Sequence, residues 1–163
     1  MAIVKAKLDD LDPCVDILFI PEIGQLYFPR RELLRSEMEK SINMDEIFVE
    51  KSPQDSKILG VIWYQRDSLF HSFPYLHMIA VRGDCRNQGV GARLMDFFEQ
   101  DSLCAEKNRI RTKAFLLVND LNTSAQRFYK NCGYEEVGRF ENLFRKGVTE
   151  KLLMKKVTSS GKR

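Results

Sequence analysis

Arg86-Asn87-Gln88-Gly89-Val90-Gly91 is the stretch whose residue types and spacing could do chemistry. It follows an apolar run, Tyr75-Leu76-His77-Met78-Ile79-Ala80-Val81, too short to be a helix of its own, and it opens a helical pattern that continues through Ala92-Arg93-Leu94. A buried strand that empties into a basic glycine loop at a helix N-terminus is a device for holding a phosphate. The first N–H groups of a helix have no intrahelical acceptor and point toward an approaching anion. The partial positive charge there, about half an elementary charge, favours an anion by ~0.3–2 kcal/mol. Glycine matters because a Cβ would keep the phosphate off the backbone. Such loops do not by themselves say which phosphate. A dinucleotide fingerprint needs G-x-G-x-x-G, and after Gly89 and Gly91 the third position is Leu94. A P-loop needs G-x-x-x-x-G-K-[ST], which the chain lacks.

The elements that must position this loop can be read in chain order. Ile3 to Leu8 reads as a first strand. Asp12-Pro13 starts a helix, with Asp12 as N-cap and Pro13 at the first helical position; the helix runs through Val15–Ile20 and stops at Pro21. Leu34, Met38 and Ile42 share one face of a second helix over 29–42, and the aromatic segment 22–28 between the helices reads as irregular packing. Glu46–Glu50 and Ile58–Arg66 form an antiparallel hairpin across a Ser52-Pro53 turn, Asp67–Pro74 is a loop, and Tyr75–Val81 is the third strand of a meander. After Gly91, Leu94, Met95, Phe98, Ser102 and Ala105 fall on one helical face, with Arg93, Asp96, Glu99, Gln100 and Glu106 off it. Ile110–Val118, apolar on both faces at its end, reads as a central strand parallel to its neighbour. Asn122 caps a helix carrying Ala125, Phe128, Tyr129 and Cys132, and Gly133 ends it. Tyr134–Phe140 and Glu150–Val157 are two last strands. The order β-α-α-β-β-β-α-β-α-β-β describes a mixed-sheet α/β domain over residues 1–157, followed by a polar tail over 158–163.

Composition limits the alternatives. The 163 residues are 44% hydrophobic and 30% charged, the balance of a soluble globular domain. A chain of this size buries roughly two-thirds of its unfolded surface and needs no staple. Cys14, Cys85, Cys104 and Cys132 lie far apart, without C-x-x-C or zinc spacing, so no metal is expected and the thiols point to a reducing cytoplasm. No signal-peptide pattern and no ~20-residue apolar run is present, which argues against a membrane role. A net charge of +3 with interspersed signs suits a local anionic ligand better than nucleic acid.

Arg86–Gly91 resembles the R/Q-x-x-G-x-G/A loop of the GNAT N-acetyltransferases, and further matches follow in order. Ile79-Ala80-Val81 stands where that family's acetyl-CoA strand ends. Asn122-Thr123-Ser124-Ala125-Gln126-Arg127-Phe128-Tyr129 is similar to its N-x-x-A-x-x-x-Y helix, and Lys130–Glu135 to the turn after it. The likeness covers residues 57–157, and the first third only by element order. It implies a GNAT-like fold, an antiparallel meander followed by β-α-β-α-β-β, and acetyl-CoA as cosubstrate. By that likeness the backbone of Ile79, Ala80 and Val81 would pair with the pantetheine arm, and an amide of this strand would steady the oxyanion on the thioester carbonyl. Gln88, Gly89, Val90, Gly91 and Ala92 would wrap the pyrophosphate, with Arg86 and Asn87 at the rim. Asn122 would bond the pantetheine arm, and Tyr129 would protonate the leaving thiolate; spacing alone favours reading Tyr129 as a core aromatic.

An amine arrives protonated and must lose a proton before it attacks. His77, on the strand face of Tyr75, Ile79 and Val81, titrates near neutrality and can serve as base or relay; its other reading is a satisfied strand histidine. The stretch resembles the arylalkylamine acetyltransferases, which carry histidines at the positions of Tyr75 and His77, whereas the histone-directed branch carries a glutamate at the position of His77. His71, in the loop, is read as a bystander. Gly83 departs from a common proline, and Leu117 stands where ribosomal-protein acetyltransferases place a catalytic glutamate. The resulting expectation is acetyl transfer from acetyl-CoA to a primary amine by direct attack in a ternary complex. The alternatives are a protein or peptide acetyltransferase and a non-catalytic acyl-CoA-binding module. A homodimer through the last strands is allowed but not required.

Overall fold

The computed structural model describes residues 2–102 and 112–156. Its strands are β1 (Ala2–Lys5), β2 (Ile47–Lys51), β3 (Ile58–Leu69), β4 (Phe73–Val81), β5 (Lys113–Asn119), β6 (Glu135–Glu141) and β7 (Thr149–Lys156). The helices are α1 (Leu11–Leu18), α2 (Gly24–Tyr27), α3 (Arg31–Asn43), α4 (Val90–Ser102) and α5 (Thr123–Asn131). The strands form one mixed sheet in the order β1-β2-β3-β4-β5-β7-β6. β1–β2, β2–β3, β5–β7 and β6–β7 pair antiparallel, and β4–β5 pairs parallel, as the apolar end of β5 predicts. The described residues divide into two compact units, 2–64 with 77–98, and 65–76 with 99–102 and 112–156. Among them no helix is long and apolar enough to cross a membrane.

In the first unit the period-2 alternation of β2 and β3 sorts side chains to two faces. Ile47, Val49, Val61 and Trp63 join Leu11, Val15 and Leu18 of α1 and Leu34, Met38 and Ile42 of α3 in one core. Each fully buried aliphatic there contributes roughly 1.5–3 kcal/mol. On the other face Phe48 stacks on Tyr64 and meets Phe97, while Tyr64 meets Phe98, so α4 covers that side. Gly60 makes the approach of α4 possible: a Cβ on it would lie 2.8 Å from Val90 Cγ1 and 2.9 Å from Leu94 Cδ1.

Several boundaries depart from the sequence reading. α1 starts at Leu11, because a 3-10 turn over Leu8–Asp10 runs into it. Pro13 is therefore the third helical residue, still in the first turn where an N–H has no intrahelical acceptor. Asp12 is not the cap; it pairs with Arg35 at 2.9 Å and ties α1 to α3. The segment 22–28 holds one helical turn, α2, and its Ile23, Tyr27 and Phe28 pack against the core. The loop expected over 67–74 shrinks to a tight hairpin turn, with Phe70 and His71 both left-handed (φ 52° and 55°). That geometry normally announces itself as Asn-Gly, and here nothing in the residue types does. Glu99, read as solvent-facing, is buried and accepts a 2.7 Å bond from Lys155. Expectations for Cys104, Ala105, Glu106, Ile110, Val157 and the tail lie outside the described residues.

Candidate active site

The first unit carries the glycine loop. After β4 the chain makes a 3-10 turn over Gly83–Cys85, pinned by Cys85 N–H on the Arg82 carbonyl at 2.9 Å. Arg82 pairs with Asp84 at 2.6 Å and donates to Cys85 Sγ at 3.4 Å. Gln88 Nε2 closes back on the Asp84 carbonyl at 3.1 Å. Asn87 and Gly89 are left-handed (φ 61° and 77°), on either side of Gln88. Asn and Gly are the residues that enter that region most readily, and alternation of this kind curls successive N–H groups into an anion-binding concavity. α4 begins directly after Gly89, so the N–H groups of Val90, Gly91 and Ala92 belong to a first helical turn without intrahelical acceptors. Arg86 is exposed and has no hydrogen-bond or ion-pair partner among the described residues. Together with Val81, Arg82 and Gly83 it lines a groove of about 540 Å³, whose opposite wall is Pro13 and Ile17 of α1. These residues fit a diphosphate: open N–H groups, a free guanidinium and no Cβ at the tightest turn.

β4 alternates as expected. Leu76, Met78 and Ala80 are buried, while Tyr75, His77, Ile79 and Val81 are half-buried. Its ladder with β5 consists of Tyr75 opposite Phe115 and Leu76 opposite Leu116. His77 sits against the Trp63 ring, centroids 5.2 Å apart, and Trp63 Nε1 donates to Glu46 at 3.4 Å. Burial lowers the His77 pKa below its ordinary 6.5, opposed by the Glu46 carboxylate, so the imidazole is neutral near pH 7.

The second unit carries α5. Asn122 caps it, its Oδ1 accepting from Ala125 N–H at 3.0 Å, and Gly133 ends it with φ 88°. Tyr129 is buried and its ring meets Phe128 and Tyr134. Burial above all, then Cys132 and Tyr75, raise its pKa, so the phenol keeps its proton. Tyr75 is pushed up to about 12 by burial and by Glu150. The loop entering α5 is clamped by Gln126, whose amide donates to the carbonyls of Asn119 (3.1 Å) and Asp120 (2.8 Å) while accepting from Lys151 at 2.7 Å.

The profile of the acetyltransferase (GNAT) domain matches residues 44–136, more than half of the chain. This chain belongs to the GNAT acetyltransferases. Among solved structures, a GNAT-family acetyltransferase from Bacillus cereus is 23% identical, covers 96% of this chain and 97% of its own, and superposes with a TM-score of 0.72. A ribosomal-protein-alanine N-acetyltransferase from Brucella melitensis is 17% identical over 96% of this chain and 100% of its own, with a TM-score of 0.71. A spermidine/spermine N-acetyltransferase from Vibrio cholerae is 16% identical over 94% and 90%, with a TM-score of 0.68. At these identities the likeness is one of fold. No curated protein matches the chain in sequence.

Within this GNAT domain the sequence-derived residues fall into three groups, the first being His77, Ile79, Ala80 and Val81 on β4. Arg86 to Gly89, with Val90, Gly91 and Ala92 behind them, lie together at the head of α4. Val90 and Ala80 are buried. Asn122 and Tyr129 lie together on α5. Sequence reasoning missed Gly60, Glu50, Arg93 and Gln126. Glu50 is fully buried on β2 and holds Arg93 of α4, Nη2 to Oε1 at 2.7 Å. A charged residue inside the otherwise apolar run Ile47-Phe48-Val49-Glu50 is the one signal that could have drawn attention to it.

Proposed function

We propose that this chain transfers the acetyl group of acetyl-CoA to a primary amine by direct attack in a ternary complex. The observation that carries the reading is the loop at the head of α4: left-handed Asn87 and Gly89, an open first turn and an Arg86 without a partner among the described residues, following the alternating end of β4. When bound, acetyl-CoA supplies an acyl carbon activated as a thioester. In this proposal the N–H groups of Gln88 to Ala92 hold the pyrophosphate and Arg86 and Asn87 screen its rim. Ile79, Ala80 and Val81 offer backbone groups to the pantetheine arm, as does Asn122 from the head of α5. Tyr129, kept protonated by burial, donates to the departing thiolate. His77, neutral at physiological pH, accepts the proton that the amine must lose. A cytoplasmic setting belongs to the same reading, since Cys14 and Cys85 are buried free thiols among the described residues.

Among the fold neighbours, one is named for a spermidine/spermine acceptor and another for a ribosomal-protein alanine. Leu117 cannot do acid–base work at the position where the ribosomal-protein type carries a glutamate, which favours a small amine. The deciding experiment is thiol release from acetyl-CoA against arylalkylamines, polyamines, aminoglycosides, amino acids and peptides. Turnover with a small primary amine is expected. Turnover with peptides alone would move the acceptor class, and CoA binding with no turnover on any amine would leave a binding module.

A further inference from the structure

Arg93 spans two things at once. Its Nε lies 3.1 Å from both carboxylate oxygens of Glu50, its Nη2 lies 2.7 Å from Oε1, and its Nη1 donates to the Gln88 carbonyl at 3.1 Å. One guanidinium therefore joins a fully buried carboxylate on β2 to the backbone of the glycine loop. Stability does not explain such a pair, because buried ion pairs can often be replaced by apolar residues without loss. Orientation does. A buried carboxylate demands a charged, hydrogen-bonded partner, so Glu50 leaves the Arg93 fork little freedom. The peptide between Gln88 and Gly89 is planar and trans, which makes its C=O and N–H point in opposite directions. Holding the Gln88 carbonyl on Arg93 turns the Gly89 N–H away from Arg93 and into the concavity. Gly89 is also where a Cβ would come within 3.1 Å of Arg93 Nη1, so the same arginine packs closely under the turn.

We propose that Glu50 and Arg93 are positioning residues for the anion site: Glu50 fixes the guanidinium, the guanidinium fixes the Gln88–Gly89 peptide, and that peptide presents its N–H to a bound pyrophosphate. This rests on the reading of the loop given above. It also gives the short strand β2, far from the loop in sequence, an indirect part in cosubstrate binding.

The test uses two probes in calorimetry on the full chain: CoA, and pantetheine, which shares the arm but lacks the pyrophosphate. Glu50→Gln and Arg93→Lys each keep a hydrogen-bonding group at the buried site, but Glu50→Gln loses the carboxylate that fixes the guanidinium and Arg93→Lys loses the fork that spans both groups. Each variant weakens CoA about tenfold while leaving pantetheine within about twofold, as expected when one oriented hydrogen bond to a charged group is lost. Equal weakening of both probes, or of neither, overturns the proposal, since a merely structural role does not distinguish them. If either single variant fails to fold, the pair Glu50→Met with Arg93→Met removes both charges together, leaves no unpaired buried ion, and must show the same selective loss. Gly89→Glu separates the two layers of inference. If it leaves CoA binding intact, the loop reading itself falls. If it abolishes CoA binding while the Glu50 and Arg93 variants bind like the native chain, only the positioning role falls.

Discussion

The loop at the head of α4 and the helix α5 do their work with different parts of the chain. The loop is exposed, and the groups proposed to hold the ligand are backbone N–H groups whose direction is set by two left-handed residues. α5 contributes side chains, a cap amide and a phenol buried deeply enough to keep its proton. The first device depends on φ angles and on the absence of a Cβ, and tolerates most changes in the side chains around it. The second depends on the identity of single atoms and on the dielectric around them. Binding and chemistry should accordingly separate when the two regions are altered one at a time.

The largest separation comes from Gly89→Glu, which places a carboxylate and a Cβ where the phosphate approaches. With CoA at 100 times its Kd the native chain gains about 2.7 kcal/mol of stability. The variant should gain none in a thermal melt, and an unchanged shift would sink the loop assignment. Tyr129→Phe is the opposite experiment: CoA affinity is kept and kcat drops by about 10²–10⁴. Full activity would remove the phenol from the mechanism.

His77→Ala should cost about 10², the lower end for a general base because burial has made the imidazole less basic. In the proposed role His77 works as the neutral form, and because its pKa is lowered the acid limb of the native rate profile should fall below pH 6.5 and be missing from the variant. The unfolded chain binds this proton near 6.5 and the folded one does not, so the same group makes stability fall as pH drops through 6.5 toward the lower folded value. A profile indifferent to the substitution leaves His77 a structural residue packed on Trp63. The smallest effect belongs to Arg86→Ala. An exposed cation at the rim should weaken CoA by about 2–5-fold at low salt and by less at high salt. A loss as large as that of Gly89→Glu would mean that the side chain, not the backbone, carries the binding.

Much of this was legible in the chain itself because it rests on local rules. Asn122 and Gly133 bracket α5 as their types require, and the alternation of β4 survives intact in its burial. Boundaries were missed where the cause lay outside the segment. Asp12 lost its capping role to an upstream 3-10 turn and found Arg35 of α3 instead. Phe70 and His71 took a turn conformation that the flanking strand pairing imposes on residues that do not favour it. Glu99 went inward because Lys155, more than fifty positions on, was there to meet it.

The sequence by itself determined the order of elements, the glycine loop with its place between a strand and a helix, and the family. Each follows from residue type and short-range periodicity, which act within a few positions along the chain. Tertiary structure alone decided the protonation bias of His77 and Tyr129, the approach of α4 over Gly60, and the link from Glu50 through Arg93 to the Gln88 carbonyl. Those depend on burial and on atoms brought together from distant parts of the chain, which no local pattern encodes.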